Sequence, residues 1–277
     1  MDEKHMLSAW ALGSDARYPW AVRCLKRAGL PFRLWNSGDA ESLTQCLTGA
    51  DMLLLPLNGF RGELLRVGDA ELEGALLPRV LQKGALVIGG NIPEALEHWL
   101  QLRGIRYVNV LEQETFQMEN AAVTAEGALA LAMEHMERTI QGAKVLVIGW
   151  GRIGKCLAQK LKALGADVTV SARRERDWCQ IEALGLEPEE TGAWHQGLES
   201  YDWIVNTVPA PIFQSAETRK KDTLLLELAS LPGGFPEAWK GSVLTARGLP
   251  GKYAPRTAGV ILGEAVLRII WEGGTLE

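Results

Sequence analysis

A glycine-rich turn in the middle of the chain has residue types and spacing that indicate dinucleotide binding. The turn has the pattern GxGxxG, and it contains Gly149, Gly151, Arg152, Ile153 and Gly154. In dinucleotide-binding folds the first glycine allows a tight turn, the second lets backbone amides approach a pyrophosphate, and the third lets a helix pack closely on a strand. A β-branched segment precedes the turn and a helical pattern follows it, which is the context that the motif requires. We therefore predict that this turn binds the pyrophosphate.

The residues after the next predicted strand indicate which dinucleotide is bound. Folds that prefer NAD usually place an acidic residue about 20 residues after the glycine turn, where it binds the ribose 2′-hydroxyl. This chain instead has Ser171, Ala172, Arg173 and Arg174. A hydroxyl group and two guanidinium groups suit a 2′-phosphate, and Arg152 can supply a further cation. The pattern favours NADP over NAD, although a solvated run of charges at a helix start is the alternative interpretation.

The composition is typical of a globular protein and argues against several classes of function. The chain has 277 residues, 47% apolar and 23% charged, with a net charge of -5. This charge indicates no general surface for polyanions, so we expect no nucleic-acid partner. The four cysteines form no CxxC pair, which indicates reduced thiols and no metal site. Since we recognise neither a signal peptide nor an apolar run of about 20 residues, we expect a cytoplasmic protein without membrane association.

Strand-like and helix-like segments alternate along the whole chain, which predicts an α/β fold with parallel sheets. The predicted strands include residues 6–12, 32–35, 52–55, 85–88, 107–111, 144–148, 203–206, 224–228 and 243–245. The predicted helices include residues 18–28, 71–82, 93–102, 124–140 and 257–271.

This order of elements predicts two doubly wound, parallel-sheet domains. Residues 1–122 are expected to form a flavodoxin-like or Rossmann-like substrate domain, completed by a C-terminal helix within residues 256–277. Residues 123–255 are expected to form a Rossmann NAD(P)-binding domain. That domain includes the helix at 124–140, which we expect to bridge the two domains.

Loops at the carboxyl ends of the predicted strands supply candidate ligands, because open α/β sheets bind ligands outside these ends. In the second domain, Thr207, Val208 and Pro209 follow one strand and Ser230 follows the next. We expect the first of these loops, together with Asn206, to approach the nicotinamide or its ribose. A simple turn before a helix is the alternative interpretation.

Polar and charged residues in other loops are further candidates. Ser14 and Arg17 follow the first strand and are expected to form an anion site at an interdomain cleft, with Asp15 as only a helix N-cap in the alternative interpretation. Arg61 lies in a predicted flap after the third strand, and Arg256 precedes the last helix, where it binds a carboxylate or belongs to a solvated basic loop. Glu126 opens the predicted bridging helix, as a residue of the cleft or as a partner of the helix dipole.

The sequence lacks a histidine that common two-domain dehydrogenases require. Its histidines are His5, His98, His135 and His195, and none follows Leu198. Hydroxyacid dehydrogenases need a catalytic imidazole late in the cofactor domain or soon after it. This absence argues against that class of enzyme, and we recognise no Ser/His/Asp or Cys/His arrangement.

An ordered set of short segments resembles the family of the dipicolinate synthase A chain. The segments are TAEG at 124–127, GWGRIG at 149–154, SARR at 171–174, NTVP at 206–209, LAS at 228–230, PGG at 232–234, GLPG at 248–251 and APRTAG at 254–259. The first domain is more loosely similar, mainly through GSDAR at 13–17. Two positions depart from the family pattern: Val123 replaces a frequent proline and Leu231 an arginine. The second departure weakens the expected role of that loop in carboxylate binding.

The resemblance implies an enzyme of endospore-forming bacteria that oxidises dihydrodipicolinate to dipicolinate with NADP. It also implies a flavoprotein-like partner, the second subunit of dipicolinate synthase, and a role in the mother-cell cytoplasm during sporulation; a homo-oligomer is left open. The residues expected at the dicarboxylate substrate are Arg17, Arg61, Arg256, Ser14 and Ser230, with Glu126 or water as proton acceptor. Two alternatives remain open, namely another NAD(P)-dependent two-domain dehydrogenase and a cofactor-binding regulatory protein without catalysis.

Overall fold

The structure is a computed structural model that describes residues 6–195, 197–214 and 218–273. Within these residues the chain divides into two compact units. The first contains residues 6–119 and 255–273, and the second contains the described residues of 120–254. The chain therefore leaves the first unit and returns to it at its end.

The first unit contains a parallel sheet and a smaller antiparallel sheet. Its strands are β1 (Ala9–Leu12), β2 (Phe32–Trp35), β3 (Met52–Leu54), β4 (Phe60–Arg61), β5 (Leu64–Val67), β6 (Ala70–Glu73), β7 (Leu86–Gly89) and β8 (Arg106–Asn109). Its first helices are α1 (Tyr18–Arg27), α2 (Ala40–Leu47), α3 (Leu77–Val80) and α4 (Glu94–Leu102). The parallel sheet has the order β2-β1-β3-β7-β8, and β4, β5 and β6 form the antiparallel sheet.

The antiparallel sheet replaces two predicted features, a flap around Arg61 and a helix over residues 71–82. β6 occupies the start of that segment, and only Leu77–Val80 forms an α-helix. Buried and exposed residues alternate along β6, and Leu72 pairs with the buried Leu65 of β5. This two-residue period suits a strand, so pairing with β5 overrides the local helical pattern.

The second unit is built around a sheet in which all neighbouring strands are parallel. The boundary between the units falls inside α5 (Glu114–His135), which begins ten residues before the predicted helix. The strands are β9 (Lys144–Ile148), β10 (Asp167–Ala172), β11 (Glu187–Glu190), β12 (Trp203–Asn206), β13 (Leu224–Glu227) and β14 (Val243–Thr245). The helices after α5 are α6 (Arg152–Ala163), α7 (Glu175–Ala183) and α8 (Leu249–Tyr253). The sheet order is β11-β10-β9-β12-β13-β14, which confirms the predicted α/β class.

Both faces of this sheet are covered by apolar side chains. Val145 and Val147 of β9 belong to one hydrophobic cluster, whereas Leu146 and Ile148 belong to another. All four side chains are fully buried. Since side chains alternate between the faces of a strand, a continuous apolar run such as β9 indicates a strand with apolar layers on both sides.

The last helix, α9 (Pro255–Glu272), belongs to the first unit and packs against α1. A Cβ at Gly259 would lie 2.3 Å from the carbonyl oxygen of Arg17, and a Cβ at Gly263 would lie 2.7 Å from the Cβ of Cys24. The two helices therefore approach each other more closely than larger residues permit. Among the described residues, no helix is long and apolar enough to cross a membrane.

Candidate dinucleotide-binding site

The turn after β9 has the backbone geometry that the glycine pattern predicts. Gly149 follows the last residue of β9 and has a φ of +101°, a left-handed conformation that residues other than glycine rarely adopt. Its amide N–H donates to the carbonyl oxygen of Ser171 at 2.9 Å, which bonds the turn to β10. The chain then enters α6 at Arg152.

The spaces around Gly151 and Gly154 differ, and the difference fits the binding of a pyrophosphate. A Cβ at Gly154 would lie 2.0 Å from the carbonyl oxygen of Gly149, so α6 packs on the turn at a distance that only glycine permits. A Cβ at Gly151 would meet no described atom within 4 Å. The backbone at Gly151 is therefore open to the approach of a ligand.

The N-terminus of α6 is electrostatically suited to an anion. Gly151 is the N-cap residue and has no side chain to accept a hydrogen bond from the first amides. The first turn of α6 contains no acidic residue, and Arg152 adds a positive charge. Because helix N-termini present unpaired amides and a partial positive charge, these residues fit the phosphates of a dinucleotide.

Trp150 fixes the glycine turn against α7, a role that the glycine pattern did not reveal. Its indole N–H donates to Oε1 of Gln180 at 3.1 Å, and its side chain is largely buried. The Nζ of Lys155 lies 5.5 Å from the centroid of the Trp150 rings. The available signal was a large aromatic residue between the first two glycines of the turn.

The prediction that Ser171 binds the 2′-phosphate is wrong, whereas Arg173 and Arg174 are accessible to a ligand. Ser171 is fully buried in β10, and its hydroxyl oxygen lies 2.7 Å from that of Thr191. The cause is its position inside the sheet, between β9 and β11, where a 2′-phosphate cannot reach it. Arg173 and Arg174 are exposed, and neither forms an ion pair with a residue that the structure describes. They can therefore accept an anion from solvent.

The loop after β12 packs on the glycine turn. The hydroxyl of Thr207 donates to the carbonyl oxygen of Ile148 at 2.7 Å. A Cβ at Gly149 would lie 2.7 Å from both Oγ1 of Thr207 and Cγ2 of Val208, while Pro209 is exposed. The structure thus brings Thr207 and Val208 together with the turn.

Asn206 does not have the free side chain that we expected near the nicotinamide. It is fully buried, and its amide nitrogen donates to Oε1 of Glu227 at 2.7 Å and to the carbonyl oxygen of Val208 at 2.9 Å. Our sequence analysis did not single out Glu227. The signal for it was an acidic residue at the end of an otherwise apolar strand.

In the first unit, Arg17 is engaged by a carboxylate of its own loop. Its Nη2 lies 3.0 Å from Oδ2 of Asp15, and its Nε donates to Oδ1 of Asp15 at 3.0 Å. Because Arg17 is also buried, the structure contradicts its predicted role as a free carboxylate binder. Ser14 is exposed in the same loop, and Arg61 is exposed on β4.

The structure shows the surroundings of Arg256, Glu126 and Ser230, and it corrects the prediction for Glu126. The guanidinium of Arg256 is exposed and lies 5.3 Å from the centroid of the Trp20 rings, without an ion pair to a described residue. Glu126 lies within α5 rather than at a helix start, and its Oε1 is 2.8 Å from Nζ of Lys160. The carboxylate of Glu126 is therefore occupied by a cation of the second unit. Ser230 is exposed in the loop after β13.

The parallel sheet, the glycine turn and the open end of α6 define the second unit as a dinucleotide-binding domain of the Rossmann type. Residues 110–220 match the family described as "D-isomer specific 2-hydroxyacid dehydrogenase, NAD binding domain". This match supports a nicotinamide dinucleotide as the cofactor. Within this class, the chain is similar to the A chain of dipicolinate synthase.

Both sequence and structure show this similarity. The chain is 36% identical to the dipicolinate synthase A chain of Bacillus subtilis (strain 168) over 173 residues, a match that spans 60% of this chain and 58% of that protein. The crystal structure of dipicolinate synthase, A chain, from Bacillus subtilis is 27% identical, with a TM-score of 0.82 over 98% of both chains. That of the corresponding protein from Bacillus halodurans is 26% identical, with a TM-score of 0.81 over 95% of this chain and 98% of that one.

Proposed function

We propose that the chain oxidises dihydrodipicolinate to dipicolinate with NADP as the hydride acceptor. The observation that carries the proposal is the full-length structural similarity to the A chain of dipicolinate synthase, combined with an intact glycine turn. In the reaction the dihydro ring loses one hydride and one proton and becomes an aromatic pyridine. We further propose that the protein acts in the mother-cell cytoplasm of a sporulating bacterium, and that its partner is the flavoprotein-like second subunit of dipicolinate synthase.

The chain's own residues have two tasks in this reaction, to bind the dinucleotide and to hold a small dicarboxylate. NADP, when bound, supplies the acceptor for the hydride. Gly151 and the first amides of α6 bind the pyrophosphate, and the loop containing Thr207 lies against the same turn. Arg256 and Arg61 are the preferred carboxylate ligands, because Arg17 is neutralised by Asp15. Aromatisation is favourable, so orientation of the substrate supplies much of the acceleration.

The reaction is tested by following dipicolinate absorbance with the purified chain, dihydrodipicolinate and NADP. The assay is run with the chain alone and then together with the flavoprotein-like partner. Product in either case supports the proposed reaction, and a need for the partner supports the proposed partnership. If neither mixture forms dipicolinate while the chain still binds NADP, the proposed reaction is wrong.

Arg256 is tested by replacing it with alanine. We expect R256A to raise the KM for the dicarboxylate at least tenfold and to leave the affinity for NADP unchanged, since a guanidinium–carboxylate contact is worth about 1.5–3 kcal/mol. Arg23 provides a matched control, because its guanidinium also lies beside Trp20, at 5.6 Å from the ring centroid. R23A should change neither value. If R256A instead weakens the binding of the dicarboxylate and of NADP equally, Arg256 does not belong to the substrate site.

The preference for NADP is tested at the two exposed arginines after β10. We expect R173A/R174A to weaken NADP binding at least tenfold and to leave NAD binding almost unchanged, because only NADP carries the 2′-phosphate. Arg176, in the first turn of α7 directly after these arginines, is a control, since it is exposed and its Nε lies 3.7 Å from the carboxylate of Asp177. R176A should preserve the preference. A wild-type protein that binds NAD better than NADP would contradict this assignment.

A second candidate function is the oxidation of a 2-hydroxy acid, which the match of residues 110–220 favours. The sequence offers no histidine after His195 to serve as the acid–base group of such enzymes. Turnover of a panel of D-2-hydroxy acids with NAD or NADP, without turnover of dihydrodipicolinate, would favour this candidate over the first.

A further inference from the structure

A carboxylate is buried at the carboxyl edge of the second unit's sheet without an ion pair to any described residue. Glu227 is the last residue of β13 and is 5% exposed. Its Oε1 accepts hydrogen bonds from the side-chain amide of Asn206 at 2.7 Å and from the backbone amide of Ala229 at 2.9 Å. Its Oε2 accepts from the backbone amide of Gly234 at 2.8 Å. Since burying a charge is costly unless polar partners satisfy it, these three donors explain how the carboxylate is tolerated.

The three donors belong to the loops that leave two neighbouring strands. Asn206 ends β12, and it also accepts a hydrogen bond from the amide of Val208 at 3.1 Å. Ala229 and Gly234 belong to the loop after β13. A Cβ at Gly234 would lie 2.6 Å from the Asn206 amide nitrogen, so the two loops are held in close contact. One carboxylate therefore connects both loops.

The position of these loops in the sheet identifies the part of the ligand that they meet. The glycine turn follows β9. The exposed arginines follow β10, which lies beside β9 on one side. β12 and β13 lie on the other side of β9. A dinucleotide lies across the carboxyl ends of the strands with its pyrophosphate at the turn. If the 2′-phosphate is at the arginines, the nicotinamide half lies toward β12 and β13.

We propose that Glu227 is a positioning residue for the nicotinamide half of the cofactor. Through Asn206 and the amides of Ala229 and Gly234, it holds residues 207–210 and 228–234 in the shape that receives this half. The inference rests on the proposed function, because it requires dinucleotide binding. Both oxygens of Glu227 accept hydrogen bonds from these two loops, so the role that we propose for it is to position them.

The test compares a full dinucleotide with its adenosine half in a variant that changes one atom of Glu227. Glu227→Gln keeps one acceptor oxygen and replaces the other with an NH2 group. That group cannot accept the hydrogen bonds that the neighbouring N–H groups donate to the carboxylate. We expect the affinity for NADP to fall about tenfold, as for a lost hydrogen bond to a charged group, and the affinity for 2′,5′-ADP to stay unchanged. Both affinities are measured by titration calorimetry, which does not depend on turnover.

Two further variants make the result specific. Asn206→Ala removes one donor without altering Glu227 and should cause a similar selective loss, so the test does not depend on the folding of E227Q. Glu189→Gln is a matched control, because Glu189 is also 5% exposed in the same sheet and accepts from the backbone amide of His195 at 3.0 Å. E189Q should leave the ratio of the two affinities unchanged.

The outcomes separate this inference from the proposed function. Selective loss of NADP affinity in E227Q and N206A supports the positioning role. If the wild-type protein binds both ligands but the variants lose both equally, or neither, the positioning role is wrong while the cofactor assignment stands. If the wild-type protein binds neither ligand, the proposed cofactor is wrong and this inference is overturned with it.

Discussion

Alanine at two glycines of one turn should affect the stability of the protein differently. A Cβ at Gly154 would lie 2.0 Å from the carbonyl oxygen of Gly149, about 1 Å closer than the shortest contacts that real Cβ atoms make. A Cβ at Gly151 would meet no described atom within 4 Å, and its φ of -82° and ψ of -168° are accessible to alanine. Alanine at Gly154 therefore disturbs the folded protein, whereas alanine at Gly151 disturbs only the bound ligand.

The magnitudes follow from these distances. At Gly154 the neighbouring atom belongs to the backbone and cannot move alone, so overpacking costs about 3 kcal/mol, the upper part of its usual range. The higher helix propensity of alanine returns about 1 kcal/mol, which leaves a net loss of about 2 kcal/mol and a fall in Tm of roughly 4–8 °C. At Gly151 the loss of stability should stay below about 1 kcal/mol, since glycine is only a modest N-cap residue.

The assay measures stability and binding in the same variants. Thermal unfolding should show a clear loss for G154A and almost none for G151A. Titration with NADP should show at least a tenfold loss of affinity for both, because G151A places a methyl group where the pyrophosphate approaches the backbone. Gly241→Ala is the control, since a Cβ there also meets open space and the residue lies outside the turn. Wild-type affinity in G151A would refute the reasoning about the turn, and wild-type stability in G154A would refute the packing argument.

Other expected outcomes concern stability. Tyr18→Phe should destabilise the first unit by about 2–4 kcal/mol in urea unfolding, because the buried hydroxyl donates to the carbonyl oxygen of Leu55 and accepts from the amide of Leu57, both at 3.0 Å; a loss below about 1 kcal/mol would contradict this. Burial by itself raises the pKa of Asp202, but the amide of Lys144 and the side chains of Arg138 and Lys220 hold that pKa below its usual value. Asp202 therefore contributes stability that is present above its unfolded pKa and is lost as the pH falls through its folded pKa. D202N should be less stable than the wild type by about 1 kcal/mol at pH 7, and the difference should shrink as the pH falls below the unfolded pKa of about 3.9, as measured by urea unfolding over a series of pH values. A constant difference would exclude this linkage.

The elements that local pattern determines were predicted well. Strands 32–35, 144–148, 203–206 and 243–245 have the predicted bounds, because each is a short, mostly apolar run beside a turn or loop. The glycine turn was predicted for the same reason, since its geometry depends on residues within one short segment. The helix predicted over residues 71–82 is wrong, because pairing of β6 with β5 involves residues that a local pattern does not connect.

The availability of candidate site residues depends on tertiary contacts. Arg17, Ser171 and Glu126 have suitable side chains, but Asp15, Thr191 and Lys160 occupy or enclose them. Arg173, Arg174 and Arg256 remain exposed without an ion pair among the described residues. Residue type alone cannot separate these two groups, since the partners of Ser171 and Glu126 lie 20 and 34 positions away in the chain.

By itself, the sequence determined that this protein has an α/β fold with a dinucleotide-binding turn, and it indicated the similarity to the dipicolinate synthase A chain. These properties depend on spacing, because a tight turn, a close helix and an open backbone each require glycine at a given position. Only the tertiary structure decided which charged side chains are free and which are neutralised. It also revealed the contact between Asn206 and Glu227, 21 residues apart, because two strands must be placed side by side before their ends can meet.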